Sequence, residues 1–413
     1  MYNNSTPNVV RQNDYIRINR LDHPKCVSDF LKAIQWCKRE GFKNITVENY
    51  ADRIFPNACL PICGLIHYYM KNGINFNILD DEHLEKRGFM SPYYAGNQDG
   101  TYDPLDKIFR YDSSVQVAEL TQRYLDTISR LVECEEGVLD GMSWCINEVM
   151  DNVLTHSECT EGYIMAQFHP TTNHIAFCIY DTGIGIFNSL NASDSKHHPR
   201  NEEDALSIAI LEGISDGKGQ GNGLYGLHRI IQENGGILGL TSGGSSIKVQ
   251  GKGELEHFPH LPFISKQQAG TIVDFQINLK SAIDMESAFQ TIGGYDGFDI
   301  RIDDMLSEED EFIHYDILKH CEGTATRIAG THLRNDIVNI LKREHRAIIL
   351  DFSNVQTVSS SFIDELIARM FISLGFILFN QVVRIKGMND TVKRLCERSL
   401  YMRTHDEWER RTL

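Results

Sequence analysis

The chain has 413 residues and a formal net charge of −17, with 57 acidic against 40 basic side chains. The length predicts two or three domains, and an apolar fraction of 41% is enough for ordinary cores. Because phosphate contacts need clustered Lys and Arg, this balance argues against a nucleic-acid surface. The N-terminus has no apolar core for export and the run MFISLGFILF (370–379) is too short to span a bilayer, so we expect a soluble, cytoplasmic protein without a membrane partner.

The first hundred residues predict a small α/β module whose role the sequence does not reveal. KNITVENY (43–50), the run from Pro61 to Lys71 and NGINFNIL (72–79) predict a strand, a helix and a second strand. The charged helix VAELTQRYLDTISRLV (117–132) follows. Its apolar residues either pack beneath the sheet of the next domain or join two chains.

A second helix, SWCINEVMDNVLTH (143–156), places Glu148 and Asn152 four residues apart. Side chains at this spacing stand one above the other and can meet a single ligand. Asn152 would give an oxygen to Mg²⁺, a cation that prefers oxygen ligands beside substrate phosphates. Glu148 would take a proton from, or orient, the attacking hydroxyl or water. Taken alone, such a pair is more often an ordinary half-exposed helix face.

Two predicted antiparallel strands follow, EGYIMAQF (161–168) and HIAFCIY (174–180), and the second ends directly in Asp181. A carboxylate there, followed by Gly183 and Gly185, can accept a hydrogen bond from an exocyclic amine such as that of adenine. The polar stretch 187–218, with a helix predicted in NEEDALSIAILEGIS (201–215), is a candidate lid over the site. The alternative is a flexible surface loop.

Gly219, Gly221 and Gly223 precede a helix that begins near Leu224. Alternate glycines in front of a helix free backbone N–H groups to surround phosphate oxygens. The pattern is neither a Rossmann fingerprint nor a Walker loop. GGILGLTS (235–242) and AGTIVDFQINL (269–279), which contains Thr271, predict two more strands.

The C-terminal third predicts a second small α/β layer after a linker at 281–311. The predicted strands are 312–318, 347–353 and 381–387, and the predicted helices are 332–343 and 361–371. Serines at 359, 360 and 361 lie at the start of the second helix, where a serine is first of all an N-cap. Ser361 and Asp364 could form a pairing similar to a capping box.

Residues about 135 to 280 resemble a GHKL-type ATPase domain, the fold of histidine kinases, gyrase, MutL and the ninety-kilodalton chaperones. The spacing of Glu148, Asn152 and His156 is most similar to that of anti-sigma-factor serine kinases. The resemblance implies ATP and Mg²⁺ as cofactors, Glu148 as the catalytic residue and Asn152 as the metal ligand. It also implies nucleotide-binding residues, namely Asn152, Asp181, Gly183, Gly185, Gly219, Gly221, Gly223, Leu224 and Thr271.

The stretch RAIILDFSNVQTVSSSFIDEL (346–366) is similar to STAS domains, and especially to a STAS-like group of unknown function. Ser360 and Ser361 lie where the phosphoacceptor loop of that family meets its helix. The chain departs from the anti-anti-sigma pattern, because Ser359 replaces the expected Asp and Phe362 the expected Gly. The cap interpretation is therefore favoured over phosphorylation.

Together these patterns predict an α/β (α+β) protein: a module at 1–100, a GHKL (Bergerat) sandwich of a mixed sheet under helices at 101–280, a linker, and a STAS-like domain at 312–413. We expect a protein-serine kinase or partner switch. Its partner would be a STAS-like or sigma-regulatory protein, or a second copy of the chain in a homodimer. The alternatives are a conformational ATPase, with water as the acceptor, and a nucleotide sensor without turnover.

Overall fold

The structure, a computed structural model, describes residues 7–79, 82–96, 103–192, 198–211, 223–258, 270–289, 312–321 and 323–412. These residues form two compact units. The first contains the described residues up to Arg123 together with those from Gly141 to 289. The second contains Tyr124–Asp140 and the described residues from 312 onward.

The N-terminal module is a small sheet with two helices. Its elements are β1 (Val9–Gln12), β2 (Tyr15–Ile18), α1 (Lys25–Arg39), β3 (Asn44–Asn49), α2 (Pro56–Lys71) and β4 (Asn75–Leu79). β1 and β2 are antiparallel, whereas β2, β3 and β4 are parallel neighbours. The predicted strands are confirmed, but α2 begins at Pro56 rather than Pro61. Proline is favoured in the first turn of a helix, and Pro56, not Pro61, takes that position.

The rest of the first unit is built on a long mixed sheet, and two of the helices given with it, those at 114–131 and 138–156, also have residues in the second unit. Its elements are α3 (Glu82–Lys86), β5 (Tyr93–Tyr94), β6 (Ile108–Tyr111), α4 (Ser114–Leu131), α5 (Val138–His156), β7 (Gly162–His169), β8 (His174–Asp181), α6 (Gly185–Ala192), α7 (Glu202–Ala209), α8 (Gly223–Asn234), β9 (Ile237–Ser242), β10 (Ser245–Gln250), β11 (Glu256–Phe258), β12 (Thr271–Asn278) and α9 (Met285–Phe289). Among the described residues, the strand order is β11-β10-β9-β12-β8-β7-β6-β5. The four strands predicted from the sequence, β7, β8, β9 and β12, lie adjacent to one another at its centre.

Residues of β8 alternate between the two faces of this sheet, and both faces are buried. On one face Phe177 stacks on Phe275 of β12, with ring centroids 5.2 Å apart. On the other face Cys178 and Tyr180 join the hydrophobic core of the N-terminal module. A Cβ built on Gly64 of α2 would overlap the Tyr180 ring. The module therefore packs directly on the sheet, and glycine at position 64 makes that close approach possible.

The second unit contains the STAS-like layer predicted from the sequence. Its elements are β13 (Phe312–Asp316), α10 (Arg327–Glu344), β14 (Ala347–Asp351), α11 (Ser360–Ile363), a π-helical turn (Asp364–Ala368), α12 (Arg369–Leu374), α13 (Phe376–Val382), β15 (Val383–Lys386) and α14 (Asp390–Thr412). The strands β13, β14 and β15 are parallel, in that order. The linker predicted at 281–311 includes the short helix α9, and residues 290–311 lie outside the described residues.

Within the part of the chain that the structure describes, no helix is both long and apolar enough to cross a bilayer.

Candidate nucleotide site

Helix α5 carries the two residues that the sequence singled out first. The side chains of Glu148 and Asn152 are half-buried and hydrogen-bonded to each other. Burial, and then the neighbouring Asp151 carboxylate, raise the pKa of Glu148, while the bond to Asn152 and the nearby His156 oppose the rise. A raised pKa brings a carboxylate closer to the value that suits a general base near neutral pH.

The start of α8 lies against Glu148. A Cβ built on Gly223, the first residue of the helix, would overlap the Glu148 carboxylate oxygen Oε1. The glycine thus lets the N-terminus of α8, with its unpaired backbone N–H groups, approach the acidic side chain. Leu224 follows as a half-buried residue of the same helix. Gly219, Gly221 and two parts of the predicted lid, 193–197 and 212–218, lie outside the described residues.

Asp181 closes β8 as a buried carboxylate. It accepts a hydrogen bond from the Gly183 amide at 2.7 Å and further bonds from the backbone and hydroxyl of Thr271, which faces it across the β8–β12 pairing. Burial raises the pKa of Asp181 to about 7, although these hydrogen bonds act in the opposite direction. Among the described residues, the groups that stabilise the ionised form of this carboxylate are neutral hydrogen-bond donors, the Gly183 amide and the backbone and hydroxyl of Thr271.

The glycines after Asp181 allow a tight passage of the backbone. A Cβ on Gly183 would overlap the Ser157 carbonyl oxygen, and the Ile184 amide donates to that same oxygen at 2.9 Å. Gly185 has φ +77° and begins α6. Ser157 directly follows α5, so the end of the helix that carries Glu148 and Asn152 contacts the loop that carries Gly183.

Sequence reasoning missed Ser242, which ties this edge of the sheet together. Its buried hydroxyl donates to the Gly270 carbonyl at 2.9 Å and accepts from the Ile186 amide at 3.0 Å. Gly270 adopts φ +108°, and a Cβ there would lie 2.6 Å from the Asp181 carbonyl oxygen. One feature of the sequence could have identified Ser242. It is the last residue of the predicted strand 235–242, and another predicted strand contains Thr271.

The described parts of the predicted site thus form two contacting groups along α5. In the middle of the helix Glu148, which is hydrogen-bonded to Asn152, lies against Gly223. At its end Ser157 contacts Gly183, whose amide is bonded to the Asp181 carboxylate together with Thr271. Among the described residues, no cluster of three or more His, Cys, Asp or Glu groups could hold a metal by itself. A site with one amide oxygen from Asn152 still fits Mg²⁺, which usually completes its shell with waters and substrate phosphates.

The serines at 359–361 lie in the second unit, and their geometry corrects one prediction. Ser359, not Ser361, is the N-cap of α11, and its hydroxyl accepts from the Phe362 amide at 3.0 Å. The capping-box pairing of Ser361 with Asp364 is wrong, because the Asp364 carboxylate instead binds the Arg403 guanidinium at 2.6 and 2.7 Å. Ser361 is hydrogen-bonded to Ser359, and Ser360 is exposed.

The class of protein follows from two features together. One is a mixed sheet covered by helices, and the other is the pairing of a helix that carries an acid and an amide with a helix that begins at a glycine. Comparison with protein families gives two matches. Residues 112–234 match the histidine kinase-like ATPase domain family, and residues 329–393 match a STAS-like domain of unknown function. The chain therefore contains a histidine kinase-like ATPase domain followed by a STAS-like domain, and both resemblances predicted from the sequence are confirmed.

Among solved structures, the chain is similar to full-length ShkA crystallised in complex with AMPPNP. The two are 14% identical, with a TM-score of 0.22, and the match covers 70% of this chain and 55% of that chain. The chain thus spans about half the length of that protein. No curated protein matches the sequence.

Proposed function

We propose that this protein is a cytoplasmic regulatory Mg-ATP-binding protein, a serine kinase or partner switch of the anti-sigma-factor type. It would phosphorylate or grip a STAS-like partner, either its own C-terminal domain, a separate sigma-regulatory protein or a second copy of the chain. The observation that carries the proposal is the contact between Gly223 and Glu148. It sets a helix N-terminus suited to phosphate beside the acid suited to proton transfer.

Each described residue has a chemical task in this proposal. Asp181 would accept a hydrogen bond from the exocyclic amine of adenine through a carboxylate oxygen, while Thr271 and the Gly183 amide keep that carboxylate oriented. Asn152 would hold the magnesium ion, which supplies positive charge against the phosphates. The backbone N–H of Gly223 would donate to a phosphate oxygen.

Glu148 would receive the proton of the attacking hydroxyl at a carboxylate oxygen. Its hydrogen bond with Asn152 fixes the side chain, and its burial makes it a stronger base than an exposed glutamate. The exposed hydroxyl of Ser360 is the more accessible candidate acceptor in this chain, since Ser361 is bonded to Ser359. If water is the acceptor instead, the same residues would serve a conformational ATPase.

Incubation of the full chain with γ-labelled ATP and Mg²⁺ tests the proposal. Label on Ser360 or Ser361, or on an added STAS-like protein, is the expected result for the kinase. Release of free phosphate alone would contradict the kinase and support the conformational ATPase. Retention of bound, intact ATP would contradict the kinase and support a nucleotide sensor. Absence of nucleotide binding in calorimetry would refute all three.

Two substitutions separate binding from chemistry. Asn152→Ala should abolish Mg-dependent nucleotide binding, whereas Glu148→Ala should retain binding and lose turnover by about 100-fold or more, the usual contribution of a general base. Glu254→Ala, which removes an exposed acid from the loop after β10, is the matched control and should change neither. Equal loss of binding in both site variants would contradict the assigned roles.

A further inference from the structure

Helix α10 buries three polar side chains on one side. Asn335, Asp336 and Asn339 are 4%, 0% and 2% exposed, although apolar residues such as Ile337 and Ile340 share the same helix. Burying amide and carboxylate groups without hydrogen-bond partners is strongly unfavourable. The hydrogen-bond partners of these three side chains therefore identify the segment that this face of α10 binds. We call Asn335, Asp336 and Asn339 the α10 polar stripe.

All three residues of the α10 polar stripe bind the segment 129–140, which we call the α4–α5 connector. Asn339 donates to the carbonyl oxygens of Ser129 and Val132 at 3.0 and 3.1 Å, and accepts from the Cys134 amide at 2.7 Å. The last carbonyls of a helix have no partner within that helix. Asn339 thus serves as the cap for the C-terminal end of α4.

The other two stripe residues extend the same contact. Asn335 donates to the Arg130 carbonyl oxygen at 3.1 Å. Asp336 accepts from the hydroxyls of Ser129 and of Tyr315 on β13, at 2.8 and 2.7 Å. The buried carboxylate thus receives one hydrogen bond from the connector and one from the STAS-like sheet. Removal of the connector would leave buried polar groups without their hydrogen-bond partners.

Charges at the rim of the contact are complementary. The connector contributes Glu133, Glu135 and Asp140, while α10 contributes Arg334, Lys342 and Arg343 in facing positions. Lys342 also donates to the Cys134 carbonyl oxygen at 3.0 Å. Four of the five hydrogen bonds from the stripe to the connector go to backbone groups, so the stripe recognises the end of a helix. The Ser129 hydroxyl on Asp336 and the opposed charges at the rim add the dependence on sequence.

The connector belongs by sequence to the ATPase domain, whose family match spans residues 112–234. It nevertheless packs in the second compact unit, with the STAS-like domain. Helix α5 begins within it at Val138 and continues to Glu148 and Asn152. At 1.5 Å per residue, the eight residues from Asp140 to Glu148 span about 12 Å of one helix.

We propose that the α10 polar stripe is the surface by which the STAS-like domain binds a partner, and that this partner is the α4–α5 connector of the same chain. Docking of the connector then positions the N-terminal end of α5 and is coupled to nucleotide binding further along it. Coupling is reciprocal, so nucleotide changes the strength of docking by the same factor by which docking changes nucleotide affinity. This inference rests on the proposed nucleotide site.

Hydrogen–deuterium exchange on the full chain, with and without Mg-AMPPNP, tests the inference. Asn339→Ala removes the cap, Lys342→Ala removes only a rim contact, and Asn380→Ala removes an exposed amide bonded locally on α13 as the control. Both α10 variants should speed exchange in peptides covering 129–140, and Mg-AMPPNP should alter the exchange of these peptides in the wild type. Nucleotide affinity in Asn339→Ala should change by about fivefold or more, at the lower end of typical coupling.

The outcomes are distinguishable from those of the proposed function. If calorimetry shows Mg-AMPPNP binding but neither the connector peptides nor the Asn339→Ala affinity respond, the coupling is refuted while the nucleotide site stands. If nothing binds, the nucleotide site and the coupling fail together. If Asn339→Ala is poorly folded by circular dichroism, Lys342→Ala decides, since its partly exposed side chain is not part of the core. Unchanged connector exchange in Lys342→Ala would then overturn the docking assignment.

Discussion

The substitution Asp181→Asn should make the ligand-free protein more stable at alkaline pH. Burial raises the pKa of Asp181 from 3.8 to about 7, so the folded protein binds a proton that the unfolded chain releases. Stability therefore falls as pH rises from the unfolded value through the folded value. The destabilisation is absent below about pH 4 and fully present above about pH 7. An amide at this position carries no charge and avoids this cost.

The size of the effect follows from the pKa shift. A change from 3.8 to about 7 corresponds to about 4 kcal/mol at high pH, at 1.36 kcal/mol per pKa unit. Part of it is already present at pH 5, so the change between pH 5 and pH 8 is about 2–3 kcal/mol. The amide nitrogen cannot accept the hydrogen bonds that the carboxylate accepts, which costs about 1 kcal/mol at every pH. The pH dependence, not the absolute difference, is diagnostic.

Urea unfolding of wild type and Asp181→Asn at pH 5, 6, 7 and 8 measures this dependence. The difference in unfolding free energy should shift in favour of the variant as pH rises. Asp52→Asn, at an exposed position in the same compact unit, is the control and should show no such trend. A constant difference between wild type and Asp181→Asn from pH 5 to 8 would refute the inference that burial keeps this carboxylate protonated near neutrality.

Three further substitutions probe two glycine contacts described above and one ion-pair network of the second unit, that of Glu365 with Arg327, Arg334 and Arg369. Gly223→Ala should displace Glu148 and raise the nucleotide Kd about tenfold, a loss of about 1.4 kcal/mol, and an unchanged Kd in calorimetry would contradict the proposed contact. Gly64→Ala should cost about 1–3 kcal/mol because the methyl group would overlap the Tyr180 ring, so an unaltered melting temperature would argue against that packing. Glu365→Gln should cost about 3 kcal/mol, since the 4%-exposed carboxylate pairs with three arginines; a urea midpoint equal to wild type would show that the network contributes little.

The sequence predicted the elements of the ATPase domain whose patterns are long and local. Alternation over eight residues identified β7 and β8, and the four-residue recurrence identified α5. The strands β5, β6, β10 and β11, which lie near the two edges of the sheet, were missed. β5, β6 and β11 have two to four residues, too few for periodicity to distinguish a strand from a loop, and β10 opens with two serines directly after Gly243 and Gly244. The predicted strand ends at Asp181 and Thr271 were nevertheless close to those of β8 and β12, since each lies near a glycine in the sequence.

The α10 polar stripe shows what a single sequence cannot supply. The segment HLRNDIVNILKR predicted a helix, and α10 confirms it, but Asn335, Asp336 and Asn339 have the composition of a solvated face. Their partners lie about 200 residues earlier in the chain, in the α4–α5 connector. Propensity and periodicity carry no information about such pairs. The sequence also did not identify Ser359 as the N-cap of α11. Three successive serines all satisfy the preference for a helix N-terminus, so residue type alone does not distinguish among them.

The contact between α2 and the outer face of β8 has a consequence for how the protein can be dissected. Tyr180 and Cys178 are dry only because residues of the N-terminal module cover them, so an expression fragment that begins at residue 101 would present a bare aromatic and sulfur-lined sheet to water. Such a fragment would self-associate through that surface and precipitate. Biochemical work on the ATPase domain should therefore retain the first eighty residues, however remote they stand from the nucleotide motifs in the printed sequence.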